Sequence, residues 1–177
     1  MEVLLGQMLI EAGILTEDQV QRVLDEQKQN GEPFGLLSEQ LYGVDPAAIE
    51  DAWAGQYARI TRSIDPEVEV FEDRAKDLIT RRQAWQFRVL PIRFDAGQLM
   101  IATTQAHLRR ALRFAVGVIG VPVFFVMAES EALGTALCRH YPWPGMTPQS
   151  VDDDGIDHLL TQVNGAQKRK VISDQGK

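Results

Sequence analysis

Cysteine is nearly absent. Cys138 is the single one in 177 residues, which excludes an intramolecular disulfide framework and any metal site built from several thiolates, and makes a reducing compartment the expected setting. Histidine is scarce as well: His107, His140 and His158 lie far apart with no HxxH or HxxxH spacing, so they carry no metal-ligand pattern. No GxxxxGK[ST] loop occurs, which excludes nucleotide hydrolysis of that type. Long apolar runs are missing too. The most apolar one, FAVGVIGVPVFFVMA over residues 114–128, is shorter than the ~20 residues a helix needs to cross a bilayer. Because it contains Pro122, it reads as a helix end followed by a buried strand, and no direct membrane insertion is expected. The opening MEVLLGQMLIE has an acid where a secretory leader would carry a base, so the expected location is cytoplasmic.

What is present is the balance of an ordinary globular protein, 45% apolar and 24% charged residues. The formal charge of −7 is unevenly spread: residues 1–60 hold eleven acids against three bases, whereas residues 61–141 hold nine acids against eleven bases. An acidic front half disfavours a nucleic-acid polymer as partner.

That front half is a tandem repeat. Sliding the sequence by 29 residues lays Leu5, Gly6, Val20, Leu24 and Gln27 on Phe34, Gly35, Ile49, Trp53 and Gln56, and Thr16 on Asp45. In each copy a short helical segment starts near Gly6 or Gly35 and ends at a glycine, Gly13 or Gly43, suited to the left-handed conformation that closes a helix. A fresh cap follows. Thr16 with Gln19 three residues on is a capping-box pattern, and Asp45 precedes Pro46 at a first helical position. Each copy is therefore a helix, a tight turn and a second helix, with apolar positions of residues 17–29 and 46–58 on one face.

Beyond Gln56 the period changes. Ala58 to Ile64 is expected as a short strand before the turn Asp65-Pro66, and Glu72 to Gln86 as one helix, with Ala75, Leu78, Ile79 and Trp85 for a core. RVLPIRF (88–94), the turn 95–97 and QLMIAT (98–103) carry a hairpin signal. A helix over 105–118, a strand over 121–128 and a helix over 129–141 follow. The expected fold class is α+β: a four-short-helix tandem repeat over residues 1–57, packed with or linked to a small α/β sandwich of three to four strands and three helices over residues 58–142. Residues 143–177, rich in Pro, Gly, Ser, Asp and Lys, read as a flexible tail holding one short amphipathic segment around Ile156, Leu159, Leu160 and Val163, which would be a partner-binding helix.

Catalytic chemistry has little to stand on. Cys138 and His140 could form a nucleophile and base, but positions i and i+2 of a helix point apart. Asp152, Asp153 and Asp154 read as a solvated charge run rather than a metal site. Neither a catalytic residue nor a metal ligand is assigned, and the protein is expected not to be an enzyme.

The repeat points instead to binding. Near helix starts, Gly6 and Gly35 lack a side chain that would bar a ligand from the backbone, and free N–H groups there favour an anion. Gln27 and Gln56 can each donate and accept a hydrogen bond, as a nucleobase edge requires. The alternative is that the glycines only end helices and the apolar residues are core.

The pattern LGxxLxxxG followed by apolar positions and Gln, twice in tandem with a spacer at residues 28–32, resembles the MshEN domain. This is the N-terminal module of type II secretion and type IV pilus assembly ATPases, the GspE N-terminal family. The likeness runs on through IDPE (64–67), residues 88–103, LRFAVG (112–117), residues 122–133 and RHYP (139–142). The resemblance implies a non-catalytic regulatory module whose tandem motif binds cyclic di-GMP, with no resident cofactor, here without the ATPase domain. The implied partners are a secretion or pilus ATPase, an inner-membrane platform protein or an envelope glycosyltransferase. The implied ligand-binding residues are Leu5, Gly6, Leu9, Gly13, Val20, Leu24 and Gln27 in the first copy, and Phe34, Gly35, Ile49, Trp53 and Gln56 in the second. Departures accompany the match: Leu4 and Pro33 stand where the family motif has an arginine, Ser38 where it has a leucine, and Tyr42 where it has the second glycine. Each charge-assisted hydrogen bond to a dianionic ligand contributes about 1.5–3 kcal/mol. Two lost arginines then correspond to roughly two to four powers of ten in affinity. A docking adaptor that has lost the nucleotide is the alternative implied.

Overall fold

The computed structural model describes residues 5–153 and 155. The chain divides into two compact units, residues 1–62 and residues 63–177.

The first unit is four helices: α1 (Leu5–Glu11), α2 (Glu17–Asn30), α3 (Phe34–Tyr42) and α4 (Pro46–Ile60). The expected punctuation is all there. Thr16 and Gln19 form a complete capping box at α2, Asp45 caps α4 through the Ala47 N–H ahead of Pro46, and Gly13 and Gly43 take φ of 69° and 64°. Just before each cap stands an apolar residue, Leu15 or Val44, and four positions into each following helix stands a β-branched one, Val20 or Ile49. Leu15, Val20 and Val44 belong to one buried cluster with Leu9 and Ala52, and Ile49 packs against it, which is the placement of a hydrophobic staple in both copies. The same β-branched residues face the equivalent glycine of each copy. A Cβ built on Gly6 would lie 2.6 Å from Val20 Cγ1, and one on Gly35 would lie 2.9 Å from Ile49 Cγ2. Gly6 and Gly35 therefore sit inside helices where the next helix crosses at contact distance, rather than ending helices or leaving the backbone bare. Arg59 and Glu11, 2.6 Å apart, tie α4 to α1; the guanidinium hydrogen bond lowers the Glu11 carboxyl below its ordinary range.

Among the described residues the second unit is a three-stranded sheet with four α-helices. β1 (Leu90–Asp95) pairs antiparallel with β2 (Gln98–Thr103), and β2 pairs parallel with β3 (Val123–Met127), in the order β1-β2-β3. Ala96 and Gly97, both at positive φ, close the hairpin, which is the backbone a two-residue primed turn demands. Leu99, Met100, Ile101 and Ala102 are all fully buried. Since successive strand residues face opposite sides, the central strand is covered on both faces. The covering helices are α5 (Asp73–Lys76), α6 (Arg81–Phe87), α7 (Leu108–Val118) and α8 (Ser130–His140).

Four expectations change. The strand expected over 58–64 does not form: α4 runs on to Ile60, whose capping N–H from Thr61 reaches Tyr57 O, and only Ser63 bridges β3, at Met127. The helix expected over 72–86 is two, because Thr80 and Gln83 make a second complete capping box that restarts the chain. Leu78, on the connecting turn, is 40% exposed instead of core, while Ala75, Ile79 and Trp85 are buried. Finally, part of the segment expected as tail is packed on the unit. A 3-10 turn at Pro148–Val151 lies on α8 so closely that a Cβ on Gly134 would be 2.0 Å from Pro148 O, and Val151 is fully buried. Arg88, buried at φ 50°, donates to Val151 O (3.3 Å), Asp153 O (2.7 Å) and Gln86 O (3.0 Å). The amphipathic segment around Ile156 to Val163 lies outside the described residues.

Candidate functional site

All four helices of the first unit contribute to one cavity of about 330 Å³, at the low end of the ~300–1,000 Å³ typical of ligand pockets. Its walls follow from the repeat. Because α2 crosses α1 at contact distance over Gly6, the residues flanking that crossing are left to line a recess: Leu5, Gly6, Gln7 and Ile10 on α1, with Val20, Leu24 and Gln27 on α2. Phe34 at the start of α3 and Gln56 on α4 complete it.

The glutamines of both copies thus open on the same space. Gln27 is held in place, its Nε2 donating to Glu32 O at 3.0 Å across the α2–α3 connection. Its Oε1 is the acceptor it can offer to a ligand. Among the described residues the lining is apolar apart from three amides and includes no charged side chain. Arg59 is committed to Glu11 and Lys28 to Asp25, 3.1 Å away. At the positions of the missing family arginines, Leu4 lies outside the described residues and Pro33 is an exposed N-cap of α3 without a side-chain cap bond. Ser38 is fully buried and satisfies its hydroxyl by donating to Phe34 O at 2.9 Å.

Of the remaining expected residues, Leu9 is fully buried in the core, and Gly35 and Ile49 are spent on each other at the second helix crossing. Gly13 shapes the α1–α2 turn. Trp53 does not line the cavity; it stands 42% exposed on α4, its ring 5.6 Å from that of Tyr57. Sequence reasoning missed Gln7 and Ile10. Their signal was the helical spacing from Gly6, since i, i+1 and i+4 flank one stripe of α1.

The rival constellation in the second unit does not assemble. Cys138 Sγ faces Met146 O at 3.9 Å, and burial raises its thiol pKa, away from a reactive thiolate. His140 stacks on Phe71 with centroids 3.8 Å apart. Asp152 accepts from the Ser130 hydroxyl at 2.7 Å and Asp153 from the Gly155 N–H at 2.8 Å; Asp154 lies outside the described residues. Among the described residues no helix is long and apolar enough to cross a membrane.

Against known proteins, residues 58–145 match the family model described as the MshEN domain, a range that covers the α/β unit and leaves the cavity outside it. No curated protein matches the chain. A solved structure described as "Structure of MshE with cdg" is 25% identical, over 78% of this chain and 99% of that one, with a TM-score of 0.44, a likeness too weak to assign a site.

Proposed function

We propose that this chain, whose residues 58–145 match the MshEN domain model, is a regulatory binding module that binds cyclic di-GMP weakly through its helical unit and so regulates a bacterial secretion, pilus or envelope-polysaccharide machine. The observation that supports this reading is that Gln27 and Gln56, equivalent positions of two copies, open on one cavity. The amides meet a guanine edge, while Leu5, Leu24 and Phe34 supply the apolar surface that a ring needs. No cation among the described residues lines the cavity, so the phosphates depend on main-chain N–H groups, such as those in the uncapped first turn of α3. This is the weaker, neutral form of anion binding that the loss of two arginines leaves behind.

Titration calorimetry of the full chain with cyclic di-GMP tests the proposal. We expect an affinity in the micromolar range or weaker, reduced by about five- to tenfold in Gln56→Ala, because a net hydrogen bond is worth ~1 kcal/mol. Gln27→Glu should lose more, since a carboxylate cannot donate to Glu32 O and would stand near phosphate. Absence of heat and of thermal protection at hundreds of micromolar ligand would refute the reading and leave protein docking as the function.

A further inference from the structure

We propose that the outer face of α7 is the docking site for this chain's own segment 156–163, which straps the second unit from outside; the inference stands independently of the nucleotide reading. α7 buries Leu108, Ala111, Phe114 and Ala115. The opposite stripe, at spacing i, i+4 and i+7, is Arg109, Arg113 and Val116. Val116 is 87% exposed, more than any other large apolar residue among those described. The helix also holds Arg109, Arg110 and Arg113 and no acid, with the first two in its first turn. Cations are disfavoured at the positive end of a helix dipole, so carboxylates laid along this end would offset that cost.

Charge, order and place single out the occupant. Asp154 and Asp157 accompany Ile156, Leu159, Leu160 and Val163, an apolar stripe at i, i+3, i+4 and i+7. The acids stand at the start of that stripe, as the arginines stand ahead of Val116 in α7. A parallel lay therefore sets unlike charges together and apolar groups together. Lengths agree as well, since the 11 residues of α7 and a helical turn-by-turn match over 154–163 each span about 15 Å. The chain also reaches the place. Arg88 holds Asp153 O at 2.7 Å. The residue before it, Phe87, stacks on Phe114 of α7 with centroids 4.2 Å apart, and the Arg110 guanidinium lies over the Phe87 ring at 5.6 Å. Residue 154 thus leaves an anchor adjoining the ring on which α7 packs. A segment tethered this closely meets the face at an effective concentration of order millimolar, so a contact of only ~0.1 mM affinity is occupied about nine times in ten.

Hydrogen exchange of the full chain, read by mass spectrometry at low micromolar protein, tests the proposal. Amides of 156–163 should exchange about tenfold slower than an unstructured chain of the same sequence. Val116→Asp and Arg113→Glu, both at exposed positions, should each lower that protection by a few-fold while near-ultraviolet circular dichroism shows the unit still folded. Asp157→Arg should restore it in the Arg113→Glu background, which a local effect on α7 would not do. Unstructured-chain exchange in the parent overturns the proposal and leaves the α7 face to an external partner. Protection that survives both α7 variants overturns it too, because the segment is then held elsewhere. Protection that grows with protein concentration does the same, because the occupant is then a second copy.

Discussion

Alanine at Gly6 tests why glycine stands there. The new Cβ would meet Val20 Cγ1 at 2.6 Å and Phe34 Cζ at 3.3 Å. Val20 is 8% exposed and belongs to the core cluster, so it has little room to withdraw. Overpacking of this kind costs about 1–3 kcal/mol, and the helix-propensity gain of Ala over Gly returns at most ~1 kcal/mol. The net loss is therefore about 0–2 kcal/mol, or up to roughly 16 °C in the melting temperature of a unit this small. Val20→Ala alone should also destabilise, by about 1.5–3 kcal/mol through lost burial. The discriminating measurement is the double variant in urea unfolding followed by Trp53 fluorescence, with Trp85 and Trp143 replaced by Phe in every variant. Removing Val20 Cγ1 removes the collision, so Gly6→Ala should cost little or nothing in the Val20→Ala background, giving a coupling of ~1–2 kcal/mol. Additivity within ~0.5 kcal/mol would show that helix crossing is not what selects glycine here.

Two further outcomes concern the second unit. Gly134→Ala places a Cβ 2.0 Å from Pro148 O, a main-chain atom that cannot swing aside; we expect a loss of ~1–3 kcal/mol and faster proteolysis within residues 143–153, and unchanged proteolysis would sink the idea that α8 holds this segment. His140 has its pKa lowered, first by burial and then by Lys76 and Arg139; the unfolded chain, titrating near 6.5, therefore takes up a proton that the folded one resists. That contribution is complete above pH 6.5 and is lost as the pH falls below it. Melting curves from pH 7.5 to 5 should show a shallower decline in His140→Phe, which keeps the stack on Phe71 without titrating, and an equal decline would refute the assignment.

The fold was legible wherever local chemistry carries it. Thr16 with Gln19, Asp45 with Pro46, and Gly13 and Gly43 each state a helix boundary within four residues, and the structure honours all of them. Thr80 with Gln83 states one in the same way but was absorbed into an apolar stretch long enough to read as a single helix. Contacts between distant segments left no such trace. The anchoring of 148–153 depends on Arg88, more than sixty residues earlier, donating to main-chain carbonyls, and a carbonyl acceptor has no sequence signature. The glycines illustrate the same limit: their 29-residue spacing showed that something was repeated, yet only the approach of Val20 and Ile49 revealed that it was a helix crossing.

That crossing also decides how the cavity can be interrogated. Gly6 and Val20 line it while packing the core, so any substitution there alters folding and binding together. By linkage, a ligand that occupies the cavity stabilises the unit by RT ln(1 + [L]/Kd), about 2.7 kcal/mol at a hundredfold excess over Kd. A destabilised variant would then lose apparent affinity only when its unfolded population becomes significant. Reduced binding in Val20→Ala is therefore ambiguous, whereas reduced binding in Gln56→Ala is not. Gln56 is only partly buried and does not belong to the core cluster. On the proposed reading, the position that reports on recognition without disturbing the core is therefore the cavity-wall amide that both copies keep.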